Sequence, residues 1–226
     1  MPVITVSPAA DRATDVMTHD RVRRSSATVL FACALVLALM ISRPSNAAEI
    51  EGVHFAEQVR SGDVALRLSC TGLLRYKLLI KAYVAALYVG EGVVADDVMA
   101  DVPKRLELSY FWSISGADFG RAGDAILKRN VDEGTFAALR PRLERINAWY
   151  RDVKPGDRYS LTYVPGVGTE LALNGTEIGV IAGADFAKEY FRIWLGEDPI
   201  DVRLRDQLLG CGRADAGERI VLRASD

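Results

Sequence analysis

Histidine, cysteine and long apolar stretches are all scarce in this chain of 226 residues, and each scarcity removes a class of function. His19 and His54 are the two histidines, and His54 alone lies beyond residue 48. A histidine-based triad, a proton relay or a zinc site with several imidazoles therefore has nothing to be built from. Cys33, Cys70 and Cys211 form no C-x-x-C pair, so a structural metal site lacks its ligands. No run of basic residues breaks the near balance of charge (28 Lys and Arg, 30 Asp and Glu), which argues against a nucleic-acid partner, because phosphate binding needs a concentrated basic face. What is present is apolar: half the residues are hydrophobic, enough to bury one sizeable core and to set disorder aside.

The first 48 residues stand apart. Arg21, Arg23 and Arg24 precede an apolar run from Ala27 to Ile41, and Arg43-Pro44-Ser45-Asn46-Ala47-Ala48 then offers small residues where a signal peptidase reads. The run of 15 residues is short of the roughly 20 that a spanning helix needs, which favours a signal cleaved near Ala47 over an uncleaved anchor. The stretch before Arg21 carries three aspartates and suits a signal poorly, and Met17 offers a second start. Arg23-Arg24 lacks the hydrophobic pair that a twin-arginine signal places after it, and Cys33 sits too deep in the apolar run for lipidation. Removing the segment takes 5 of the 28 basic and 3 of the 30 acidic residues, leaving 23 against 27 and a formal charge of −4. The expected organisation is a signal over 1–48, one domain over 49–212 and a charged tail over 213–226, in a periplasmic or otherwise exported protein. An oxidising compartment permits a Cys70–Cys211 disulfide; two separate thiols are the alternative.

Along the remaining chain, Val64, Leu66 and Leu68 alternate with polar partners as in a half-buried strand, which Gly72 is expected to end. Leu74 to Val89 is free of Gly and Pro and rich in β-formers, predicting one long strand, and Lys104 to Trp112 predicts another. Ser115-Gly116-Ala117-Asp118 has capping-box spacing and opens a helix with Phe119, Ala122, Ile126 and Leu127 on one face. A second helix is expected from about Thr135 to Arg151, kinked or restarted at Pro141. Three strands follow over 157–164, 169–173 and 177–181, the last two joined at Asn174-Gly175, a hairpin-turn pair. That turn chemistry accounts for the sequon-like Asn174-Gly175-Thr176, and Gly166-Val167-Gly168-Thr169 reads as a β-turn, since it lacks a phosphate loop's Gly-Lys-Thr ending. Helices from Ala184 to Gly196 and over 202–209 close the domain. The order implies an α+β fold with helices on one face of a large antiparallel sheet.

Candidate chemistry is thin. Arg75, Lys77, Lys81 and Tyr83 share one parity on the predicted long strand; an unbroken strand would present cations and a phenol on one face, fit to hold a carboxylate or enolate oxygen. The alternative is a solvated face whose lysines keep the sheet soluble.

Several segments taken together resemble the chalcone isomerase-like family: Gly72-Leu73-Leu74-Arg75, Lys81 to Val89, Asp101 to Leu108, Gly156-Asp157, Tyr163 to Thr169 and Arg192-Ile193-Trp194-Leu195-Gly196. The resemblance covers about Glu51 to Gly210 and implies an open-faced β-sandwich with a ligand cleft between sheet and helices. In plant chalcone isomerases that cleft holds an arginine, a threonine, a tyrosine, an asparagine and a late hydroxyl. The arginine matches Arg75, whereas the other positions carry Tyr83, Phe119, Ile126 and Ile193. Phe and Ile cannot donate hydrogen bonds to a developing oxyanion, so flavonoid cyclisation is not expected. Fatty-acid-binding relatives of the same fold pair the arginine with a tyrosine, and the resemblance thus implies a non-catalytic carrier. Arg75 and Tyr83 would grip the carboxylate of a small amphipathic ligand, and Phe119, Ile126 and Ile193 would line an apolar tunnel. No cofactor, metal or spanning helix in the mature chain is implied, and the oligomeric state stays open. The alternatives are an isomerase or lyase acting on an enone-like substrate, with Arg75 as electrophile and Tyr83 as acid, and an envelope scaffold module without a small ligand.

Overall fold

The computed structural model describes residues 48–77 and 79–210. Seven strands form one antiparallel sheet in sequence order: β3 (Gln58–Ser61), β4 (Val64–Tyr76), β5 (Ile80–Gly90), β6 (Lys104–Tyr110), β7 (Arg158–Val164), β8 (Gly168–Leu173) and β9 (Thr176–Ile181). A separate hairpin, β1 (Ala48–Ile50) and β2 (Val53–Phe55), turns at Glu51 and Gly52, both at positive φ. The helices are α1 (Gly116–Asn130), α2 (Glu133–Trp149), α3 (Ala184–Tyr190), α4 (Arg192–Leu195) and a last one over 202–210. None of the described helices is long and apolar enough to cross a membrane. The α+β arrangement expected from the sequence is the one observed.

Helices α1 and α2 start where the sequence supplies a cap. The Ser115 side chain accepts from the Asp118 amide, and Asp132 accepts from the Thr135 amide at 2.9 Å, satisfying donors that would otherwise be orphaned. Helix α2 runs through Pro141 without a break, and Phe191 divides the late helix expected from Ala184 into α3 and α4.

The largest departure from expectation lies between residues 64 and 90. Gly72 does not end its strand. It lies within β4 where the last helix packs closely: a Cβ at residue 72 would sit 2.7 Å from Leu204 Cδ1, so a larger residue would require that side chain to shift. The predicted strand Leu74–Val89 is instead the end of β4, a turn in which Lys77 has positive φ, and the whole of β5. Propensity could not reveal this, because the turn residues include neither Gly nor Pro.

Two bulges then set which residues face the helices. Leu68 pairs with Tyr88 but Cys70 with Leu87, and Leu74 pairs with Tyr83 but Arg75 with Lys81, so Ser69 and Ala82 are the extra residues. Each bulge inverts the in-out alternation. Beyond them the register stacks side chains in rows across the sheet on the helix-facing side: Leu74, Tyr83 and Tyr110; Ala85, Leu108, Tyr159 and Leu173; Leu87, Leu106, Leu161 and Leu171; Val89, Lys104, Tyr163 and Thr169. Phe186, Ala187, Phe191, Leu139, Leu143 and Ile146 close over these rows from the helices. On the other face Leu66, Val84, Ala86 and Tyr88 pack with Phe55 of the β1–β2 hairpin. Arg158 ties that hairpin down, donating to the His54 carbonyl at 2.9 Å and to Glu107 at 2.9 Å.

Cys70 is disulfide-bonded. Cys211, its expected partner, and Cys33 both lie outside the described residues, as do the proposed signal and the charged tail.

Candidate functional site

Between the first of those rows and helices α1 and α4 the packing leaves a cavity of about 420 Å³. Its sheet wall is Leu74, Ala82, Tyr83, Leu108 and Tyr110; its helix wall includes Phe119, Ala122, Gly123, Ile126, Ile193 and Trp194, with Tyr150 and Tyr190 between. Small residues on α1 open the space: at Gly123 even a Cβ would touch Ile193. Phe119 stacks on Tyr150 at 5.2 Å between centroids and meets Tyr110 edge-on at 5.4 Å, so the aromatic wall is braced by its own ring contacts.

The polar groups are phenols. Tyr83 is 5% exposed, and its hydroxyl accepts from Trp194 Nε1 at 3.2 Å, leaving its proton to offer. The hydroxyls of Tyr150 and Tyr190 bond each other at 2.8 Å. Burial holds the Tyr83 and Tyr110 hydroxyls well above the usual phenol range, pushes Tyr150 up to about 12 and raises Tyr190 as well. All four are protonated at neutral pH and serve as neutral hydrogen-bond donors. Asp118, at the rim, is the sole acidic or basic side chain among the described lining residues, and it is engaged by Ser115 and Arg121. Asp118 is held below the usual carboxylate range chiefly by its bond from Ser115, then by Arg121.

The structure brings Tyr83, Phe119, Ile126 and Ile193 together on this cavity and puts Arg75 elsewhere. The bulge at Ala82 turns Lys81 away from the face of Tyr83, and Arg75, paired with Lys81, turns with it. Both cations meet Glu51 of the β1–β2 turn, Arg75 at 3.4 Å and Lys81 at 2.5 Å. Arg75 lines a separate polar groove with Asp201, Arg203 and Gln207. Residues of one parity in the sequence thus end on opposite faces, and the expected guanidinium–phenol pair does not form. Sequence reasoning also missed Tyr110, Tyr150, Tyr190 and Trp194. Tyr110 was within reach, because it continues the inward parity of Leu106 and Leu108.

A second cavity, about 310 Å³, borders Lys104, Tyr163, Asp101, Asp185 and Lys188. Lys104 is buried, and its ammonium donates to the carbonyls of Val98 at 2.9 Å and Ala100 at 2.7 Å, a structural bridge to the loop before β6. Burial lowers its pKa to about 8, against the opposing pull of Asp101. Among the described residues no group of three or more His, Cys, Asp or Glu side chains is placed to hold a metal.

These features have counterparts in known proteins. A family model described as chalcone isomerase-like matches residues 47–210. A search of curated proteins by sequence gives no match. Among solved structures, a fatty-acid binding protein from Arabidopsis thaliana is similar, with a TM-score of 0.60 over 73% of this chain and 96% of that one. At 17% identity that likeness is one of fold. The seven-stranded meander, the helical layer on one face and a family match across the entire described domain establish that this chain belongs to the chalcone isomerase-like family.

Proposed function

We propose that the chain is an exported, non-catalytic carrier of a fatty acid or a similar small amphipathic acid, held in the 420 Å³ cavity. The observation that carries this reading is the composition of the wall: aliphatic and aromatic carbon almost throughout, interrupted by phenol hydroxyls, the Trp194 indole N–H and, at the rim, the Asp118 carboxylate already engaged by Ser115 and Arg121, with no cation among the described lining residues. The volume falls within the roughly 300–1,000 Å³ of small-molecule sites. An apolar cavity of this kind favours an alkyl chain over water, which finds few partners there. The acid's head group lies at Tyr83 and Tyr110, where neutral donors suit a protonated carboxyl group; an ionised carboxylate without a cation would bear a heavy desolvation cost. Arg75 takes no part in the grip, which replaces the pairing implied by the sequence resemblance. The fatty-acid binding protein of the same fold supports the ligand class. The disulfide at Cys70 and the signal-like segment before Ala48 support export, since disulfides persist in oxidising compartments.

Mass spectrometry of an organic extract of the purified protein tests the reading. Near-stoichiometric fatty acid is expected, and Ala122→Trp, which fills the helix wall, should remove it. An empty extract, together with no uptake of added fatty acid, would overturn the proposal.

A further inference from the structure

The turn between β4 and β5 carries an exposed apolar cluster that the cavity does not use. Leu79 is 86% exposed, Tyr76 57% and Ile80 42%, and Trp112 beside them is 58% exposed. Trp112 is fixed there by its indole N–H, which donates to the Lys81 carbonyl at 2.8 Å. Exposed side chains of this size gathered at one place mark an interaction site. The remaining large exposed hydrophobics, Val94, Val167 and Val202, are single valines on other elements.

We propose that this turn docks the protein on an anionic lipid bilayer, inserting Tyr76, Leu79, Ile80 and Trp112 to the depth of the headgroups. Three features select a bilayer over a protein partner. The cluster is four side chains, three at the turn and Trp112 beside it, where a standard protein interface engages roughly 20–30 residues a side. It mixes Trp and Tyr with aliphatic residues, the combination that settles at the membrane–water boundary, where an aromatic ring is apolar at one end and wet at the other. Charge is complementary as well: Arg75, Lys77 and Lys81 flank the cluster and Glu51 neutralises one of them, leaving a local charge of about +2 toward anionic headgroups. The same turn borders the cavity mouth, since Tyr76 and Ala82 line it. A docked protein would thus face the bilayer with its cavity entrance, although the docking stands whatever the cavity holds.

Vesicles containing brominated phosphatidylglycerol test this with the full chain, because bromine quenches tryptophan only at contact. Trp149 and Trp194 are half-buried and packed against the core, whereas Trp112 is 58% exposed, so contact quenching falls chiefly on Trp112 and Trp112→Phe isolates its share. Strong quenching is expected, falling at least fivefold on zwitterionic vesicles, with Trp112→Phe, and with the double change Leu79→Asp and Ile80→Asp. Val167→Asp, at a remote exposed valine, should leave it unchanged. Three outcomes would overturn the inference: no quenching in the wild-type chain, quenching that survives Leu79→Asp and Ile80→Asp, or a dimer in sedimentation that those changes dissolve, which would assign the cluster to a second copy. Ala122→Phe, which crowds the cavity without adding a tryptophan, keeps full quenching, so failure of the ligand reading and failure of this one are told apart.

Discussion

Two rows of side chains on the same face of the same sheet, separated by the row of Ala85, Leu108, Tyr159 and Leu173, have opposite fates. Leu87, Leu106, Leu161 and Leu171 are all at most 2% exposed and are packed shut under the helices, while Leu74, Tyr83 and Tyr110 border empty space. Flexible aliphatic chains interdigitate and fill whatever volume the helices leave. Rigid rings braced against one another cannot, and the small residues Ala122 and Gly123 opposite them do not reach across. A cavity in this fold therefore needs no missing element; it follows from rigid residues facing small ones at one end of a continuous interface.

The sharpest way to break the comparison is to truncate each row. Leu106→Ala should destabilise the protein by about 3 kcal/mol, since the vacated space is closed on every side. Ile193→Ala, on the cavity wall, should come below about 2 kcal/mol in protein stripped of ligand. Thermal or denaturant unfolding of the stripped protein reads both, and equal losses would mean that the helices close over the cavity when no ligand holds it open. The row beyond the leucines supplies the next effect. The Lys104 pKa is depressed in the folded protein to about 8 from an ordinary value near 10.5, so between those values the unfolded chain binds more protons. Stability therefore rises with pH across that window and is lost as pH falls through 8. The gain to pH 10 should be about 2 kcal/mol, ending where the buried tyrosines, whose pKa values are raised, begin to oppose it. Lys104→Met should flatten that slope in denaturant titrations at pH 8 and pH 10.

Within the hollow row, removing one hydroxyl should be a smaller matter still. Tyr110→Phe should weaken fatty-acid binding by up to about tenfold, the range of one neutral hydrogen bond, with little change in melting temperature. Binding should also weaken as pH rises past neutrality, because no cation among the described lining residues offsets an ionised head group. Isothermal titration at pH 6 and pH 8 measures that trend; tighter binding at the higher pH would return the anion, and with it a cation, to the site. Smallest of all, Arg75→Ala should leave binding unchanged and cost under about 0.5 kcal/mol, as expected for an exposed ion pair.

Much of this architecture was legible from the residues. The cap Ser115, the Asn174-Gly175 turn and the inward periodicity of Phe119, Ile126 and Leu127 are local signals, each carried by a short stretch of chain. Four of the residues named from the sequence, Tyr83, Phe119, Ile126 and Ile193, line one cavity. Arg75 does not join them, because parity counted along residues 74–89 assumed one strand where the chain makes a turn and then a bulge at Ala82.

What the amino-acid sequence determined by itself was the inventory: an α+β pattern, an apolar core of one domain's size, and too few histidines and clustered cysteines for a centre built from them. Tertiary structure alone decided which phenols share a cavity, and that Arg75, next to Leu74 in the chain, faces away from it. The reason is that a bulge or a turn involves a single residue, too short for any periodic signal, yet it reverses the facing of every residue that follows.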